Sequence, residues 1–119
     1  MNRVYGKYRD RAAFYFVYVQ EAHASDVWQV RSNVRDEVVF ATPLSFEERT
    51  RVAGTCSREL KIELPVIVDH LDDRVERAYT AWPDRLYVVD RDGRVAYKSR
   101  PGPFGFQAEG VEKALESLF

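Results

Sequence analysis

Residues 13–19, Ala13-Phe14-Tyr15-Phe16-Val17-Tyr18-Val19, contain no charge and end at once in a polar cluster, Gln20-Glu21-Ala22-His23-Ala24-Ser25-Asp26. A continuous aromatic and β-branched run of this kind predicts a strand covered on both faces, as in a mostly parallel sheet. Parallel strands need long crossover connections, so helices should alternate with strands elsewhere. The chain follows that pattern. Val4, Tyr5 and Tyr8 stand at helical spacing within residues 3–11. Ser45 and Glu48 make a capping-box pattern that opens a helix to about Lys61. Phe46, Val52, Ala53, Cys56 and Leu60 fall near one face of it. Residues 64–69 (LPVIVD) read as a second strand, and Asp72 and Asp73 suit the start of a short helix through Tyr79. Residues 86–89 form a third strand, Asp90-Arg91-Asp92-Gly93 a hairpin turn and residues 94–98 the return strand. A last helix carries Val111, Ala114, Leu115 and Leu118 as its buried stripe. A further short strand is expected at Val38-Val39-Phe40. Helix, strand, helix, strand, helix, hairpin, helix is an α/β order.

At 119 residues the chain is one domain, residues 1–119, without repeat or linker. Eighteen basic residues against nineteen acidic leave a net charge of −1, so no nucleic-acid or membrane partner is expected. One cysteine excludes an internal disulfide and a multi-cysteine metal site. No metal or cofactor is expected. With no apolar run of spanning length and no signal-peptide pattern, the expected location is cytoplasmic.

Glu21 and His23, two residues apart just past the first strand, project to one side of its C-terminal end. Open α/β sheets bind ligands at such ends. A carboxylate beside an imidazole raises its pKa and orients it for proton transfer near neutral pH. The same residues also fit a plain polar loop in which Ser25 and Asp26 cap or turn the chain. Cys56 sits mid-helix on the apolar stripe, away from a helix N-terminus that would activate it, and reads as a buried structural thiol. His70 reads as surface structure. The loop from Arg100 to Phe106 has neither a phosphate-loop nor a dinucleotide fingerprint. Its aromatics either line an apolar pocket or cover the end of the core.

Two stretches carry a family resemblance. Residues 14–28, FYFVYVQEAHASDVW, resemble the iodothyronine deiodinases, whose strand runs into a Glu-Ala-His-Ala/Pro-Ser-Asp-Gly-Trp signature. Residues 64–106 are similar too, in LPVIVD and AWPDRLYVVDRDGRVAYKSRPGPFGF. The resemblance implies a thioredoxin-like, peroxiredoxin-related fold, matched by the closing hairpin and helix, and reductive chemistry centred on selenocysteine or cysteine. It makes Glu21 and His23 a proton relay to the reacting selenium or sulfur. It assigns Arg85, Pro83 and Trp28 to binding an aromatic or phenolic small molecule, with Pro83 in the cis form and a thiol as reductant. Arg85 also fits a solvated arginine at a strand start. The sequence departs from the family at Val27, where glycine is usual, and at Asp84, which replaces a glutamate.

In the family, a first β-strand and the catalytic residue precede the first helix, whereas Met1 falls inside that helix here. The expected fold is therefore thioredoxin-like without its first, central strand and the start of its first helix. Losing that strand would expose two apolar edges with unpaired backbone groups. A homodimer joined through the gap is the expected remedy. A start codon assigned downstream of an in-frame selenocysteine codon would produce the same sequence. Three functional classes follow: a selenol- or thiol-dependent reductive dehalogenase or peroxide reductase in its longer form, a catalytically dead thioredoxin-like binding module, or a structural dimer. The 119 residues alone are expected to have little or no activity.

Overall fold

The computed structural model describes residues 1–21 and 41–119. His23, Ser25, Asp26, Trp28 and the strand expected at 38–40 lie outside the described residues. The elements run α1 (Asn2–Tyr8), β1 (Phe16–Tyr18), α2 (Phe46–Glu59), β2 (Val66–Val68), α3 (Arg74–Tyr79), β3 (Tyr87–Val89), β4 (Val95–Lys98) and α4 (Ala108–Leu118). The mixed α/β order matches the reading of the sequence. Among the described residues, no helix is long and apolar enough to cross a membrane.

Local chemistry accounts for most of the boundaries. Ser45 is the N-cap of α2, and its hydroxyl accepts from the Glu48 N–H at 3.1 Å. Glu48 reaches back to the Leu44 N–H at 2.7 Å, one residue beyond the reciprocal partner of a capping box. In the hairpin, Asp90 Oδ1 accepts from the N–H groups of Asp92 and Arg94 at 2.9 Å each. Gly93 closes the turn at φ 80°, where a side chain would be strained.

The start of α3 differs from expectation. Asp73, at φ 54°, makes no side-chain cap, and Asp72 is paired with Arg74 instead. The helix is capped by Asp69, at the end of β2. Its carboxylate, on a residue only 1% exposed, accepts from the N–H groups of His70 (2.9 Å), Val75 (3.1 Å) and Glu76 (2.9 Å). A buried carboxylate binds orphan helix donors more strongly than an exposed one, because water does not compete.

β1 pairs with β2 in parallel, Phe16 opposite Val66 and Tyr18 opposite Val68. β3 pairs with β4 antiparallel, with an irregularity between Val88 and Val89. Among the described residues these are two separate two-stranded sheets, and β1 and β3 do not pair. The main core, Val4, Tyr8, Val88, Val111 and Leu115, joins α1, β3 and α4. Ala53 on α2 and Leu64 ahead of β2 are buried apart from it.

The expectation of strands covered on both faces is not met. β1 is only half-buried, and Val66 and Ile67 on β2 are exposed. Helix α2 is about 21 Å long at its usual rise, while a three-residue strand spans only about 10 Å. Its middle therefore packs through Ala53, and its ends, Phe46 and Leu60, overhang into solvent. Leu118 at the end of α4 is likewise exposed, and Phe104, 92% exposed, covers no part of the core. His70 is exposed, as expected, and stacks on Phe46.

A polar seam closes α1 onto α4. Glu112 accepts from Arg3 at 2.6 Å and from Lys7 at 2.8 Å, and Tyr8 donates to Glu116 at 3.1 Å. Arg3 and then Lys7 pull the Glu112 carboxyl from its ordinary 4.5 down to about 2. A carboxyl whose folded value is depressed stabilises the fold above its unfolded value and loses that contribution as pH falls through its folded value. Glu112→Gln should therefore lower the urea midpoint at pH 7, and the deficit should vanish between pH 4.5 and about 2. Urea titrations of both proteins at pH 7, 4 and 2.5 check this.

Candidate functional site

Glu21 lies three residues beyond the end of β1, where the ladder closes with the Asp69 N–H donating to the Tyr18 carbonyl at 2.8 Å. Its side chain is 6% exposed, and neither carboxylate oxygen meets a hydrogen-bond donor among the described residues. Its counter-charge is Arg49 on α2, itself 3% exposed, whose Nη2 stands 3.6 Å from Glu21 Oε2. The other guanidinium nitrogen is committed elsewhere. Arg49 Nη1 donates to the carbonyls of His70 (2.7 Å) and Asp69 (3.4 Å) and to Asp73 Oδ1 (2.9 Å). One arginine thus ties α2 to the loop between β2 and α3 and faces the end of β1.

Tyr18 and Cys56 are the further neighbours of Glu21 among the described residues. Burial, then the charge of Glu21 and the neighbouring Cys56 sulfur, push the Tyr18 phenol well above its ordinary value. It stays protonated and available as a donor. Burial also pushes the Cys56 thiol up; its hydrogen bond with Tyr18 opposes this and the Glu21 charge adds to it. The attacking species of a cysteine is the thiolate, so Cys56 is poorly placed to act as a nucleophile. Alkylation of Cys56 by iodoacetamide at pH 8 should run severalfold slower than that of free cysteine. Mass spectrometry of the timed reaction checks this.

The other predicted residues belong to the second sheet. The Trp82–Pro83 peptide is cis, as is Gly102–Pro103. Arg85, half-buried just ahead of β3, has an Nε without an acceptor. The loop after β4 is laid against this segment: Gly102 N–H donates to the Asp84 carbonyl at 3.1 Å and Leu86 N–H to Ser99 Oγ at 2.9 Å. A Cβ on Gly102 would strike the Asp84 carboxylate, which would have to turn aside to make room. Burial pushes the Asp84 carboxyl up, with the Gly102 N–H opposing.

Among the described residues, no hydrogen bond or ion pair joins Pro83 or Arg85 to Glu21. His23 and Trp28, the remaining predicted site residues, lie outside them. No group of three or more metal-ligating side chains occurs among the described residues.

Reading the sequence had missed Arg49. A signal for it exists, because Arg49 falls on the same helical face as Ala53 and Cys56, and a charge on an apolar stripe needs a buried partner. That partner, Glu21, is 28 positions away and invisible to local spacing.

Comparison with known proteins agrees with the motifs. The family model described as iodothyronine deiodinase matches residues 1–119. The chain is 36% identical over 120 residues to a thyroxine 5-deiodinase of Sparus aurata, covering 97% of this chain and 41% of that protein. It is 30% identical over 115 residues to a type I iodothyronine deiodinase of Xenopus laevis, covering 97% and 43%. A thyroxine 5-deiodinase of Gallus gallus is 33% identical over 117 residues, with 97% and 43% covered. The chain therefore spans 41% to 43% of the length of these relatives. On the strength of a match along its whole length, the chain belongs to the iodothyronine deiodinase family.

Proposed function

We propose that the chain is the relay-bearing part of a selenol- or thiol-dependent oxidoreductase that removes halogen from an aromatic or phenolic substrate. The relatives are named for acting on thyroxine and iodothyronines, which makes an iodinated phenol the substrate class by likeness. In the overall change the aryl carbon loses iodide and gains a proton, and a thiol reductant supplies two electrons. Glu21 and His23 pass that proton, while Arg85, Pro83 and Trp28 hold the ring.

The observation that carries this reading is Glu21. Its buried carboxylate, at the C-terminal end of a parallel strand, keeps its acceptor capacity unspent. Such a group either takes a proton or binds a donor. A thioredoxin-like framework is supported by the parallel β1–β2 pair followed by the β3–β4 hairpin and α4. A reducing, cytoplasmic setting goes with this chemistry. The reacting selenol or thiol comes from outside these residues, since Cys56 is held protonated. The 119 residues alone should release no iodide from an iodothyronine with a dithiol reductant.

The open strand edges favour a second reading. β1 pairs only with β2, and β3 only with β4, so each keeps an unpaired edge among the described residues. A catalytically silent thioredoxin-like module that dimerises through these edges accounts for them. Light scattering at micromolar concentration separates the two, with a clean monomer counting against the homodimer.

The decisive experiment reads the DNA immediately upstream of Met1. An in-frame TGA or cysteine codon after a strand-like apolar run supports the reductase. The corresponding longer protein should then release iodide from an iodinated phenol. Stops in every frame, or a longer protein that dehalogenates nothing, would overturn it.

A further inference from the structure

We propose that Arg49 is a positioning residue for Glu21, fixing the direction and charge of that carboxylate from a perch held by the loop between β2 and α3. The inference rests on Glu21 acting as a proton carrier. Its physical ground is the division of labour within one guanidinium. Nη1 is saturated by two carbonyls and Asp73, so the group cannot swing to follow Glu21. Nη2 is left toward Glu21 Oε2, while Nε and both Glu21 oxygens have no hydrogen-bond partner among the described residues. The gap of 3.6 Å is just beyond hydrogen-bond length, and a small movement of Glu21 alone would make or break the pair.

The charges point the same way. One guanidinium faces two carboxylates, Glu21 and Asp73, and Asp73 holds the closer contact at 2.9 Å. Glu21 is the acid left short of donors. It is thus close enough to its cation to remain in place and loose enough to accept a proton. Lysine cannot reproduce this, because a single ammonium lacks the planar fork that divides between loop and carboxylate.

Among the described residues, the groups facing Glu21 are Arg49 and Cys56 from α2 and Tyr18 from β1, with Asp73, Asp69 and His70 behind Arg49. The test is a carboxyl-carbon NMR titration of Glu21 in the 119-residue chain, for the wild type, Arg49→Lys, Arg49→Met and Asp73→Asn. The expected result is a midpoint raised by about one pH unit or more in Arg49→Met, about tenfold in proton affinity. Arg49→Lys should fail to restore the wild-type midpoint. Asp73→Asn, which keeps the arginine and removes the carboxylate that competes for it, should lower it. Full restoration by lysine would reduce Arg49 to a bulk charge and overturn the proposal, as would a midpoint that moves in none of the variants. If the Arg49 variants do not fold, Asp73→Asn decides alone: a lowered midpoint supports the coupling and an unchanged one refutes it. Wild-type turnover by Glu21→Gln in the longer protein would refute the relay reading while leaving these titrations unaffected.

Discussion

Replacing Asp69 with alanine is expected to lower the stability of the fold by about 3–5 kcal/mol, the range for removing a buried charged partner from its network. The carboxylate is the acceptor for three backbone N–H groups, those of His70, Val75 and Glu76. A hydrogen bond to a charged group contributes about 1.5–3 kcal/mol, and donors left buried without an acceptor add their desolvation cost. No nearby side chain can substitute. Asp73 is held by Arg49, and Asp72 points to Arg74. Asp69→Asn keeps one good acceptor oxygen and should recover about half of the loss. Urea denaturation of the three proteins at pH 7 measures both. A loss below about 1 kcal/mol for alanine would mean that water replaces the cap and that the end of β2 is wetter than its burial indicates.

Glu21→Gln in the longer, nucleophile-bearing protein is expected to reduce kcat for iodide release by about 100- to 10,000-fold, the usual worth of a positioned acid–base group. Glutamine matches the shape and can accept from the same neighbours through its Oε1, but it cannot carry the proton. KM should change little if the substrate ring is held by the Pro83–Arg85 segment of the other sheet. A parallel loss of kcat and kcat/KM is the signature of an interaction made only in the transition state. A change within about threefold would assign Glu21 to structure, as a mere counter-ion for Arg49.

What the sequence disclosed, and what it did not, divides by range. The capping pattern at Ser45 and Glu48 and the turn at Asp90 and Gly93 were legible because each is decided by residues within four positions of one another. Glu21 drew notice in the sequence as a carboxylate just beyond a strand run, whereas its burial against Arg49, 28 positions away, was not legible. Asp69 was not legible as the cap of α3. Asp72 and Asp73 are nearer in sequence, and only the path of β2 into the interior decides between the three. Arg49 was hidden for the same reason. The exposure of Val66, Ile67, Phe46 and Leu60 runs against their hydrophobicity, because short strands under a long helix cannot cover them all.

The seam between α1 and α4 has a consequence for how the protein is made. Arg3 meets Glu112 across 109 positions, and Val4 and Tyr8 share a core with Val111 and Leu115. On the ribosome, the apolar face of α1 lacks its α4 partner until residues 108–118 have been made. Closing so long a loop carries an entropy cost that grows only slowly with length, but it delays the step that encloses the core. Enclosure of this core is therefore expected to wait for Val111 and Leu115, and a nascent chain halted before Val111 is a natural client for a chaperone.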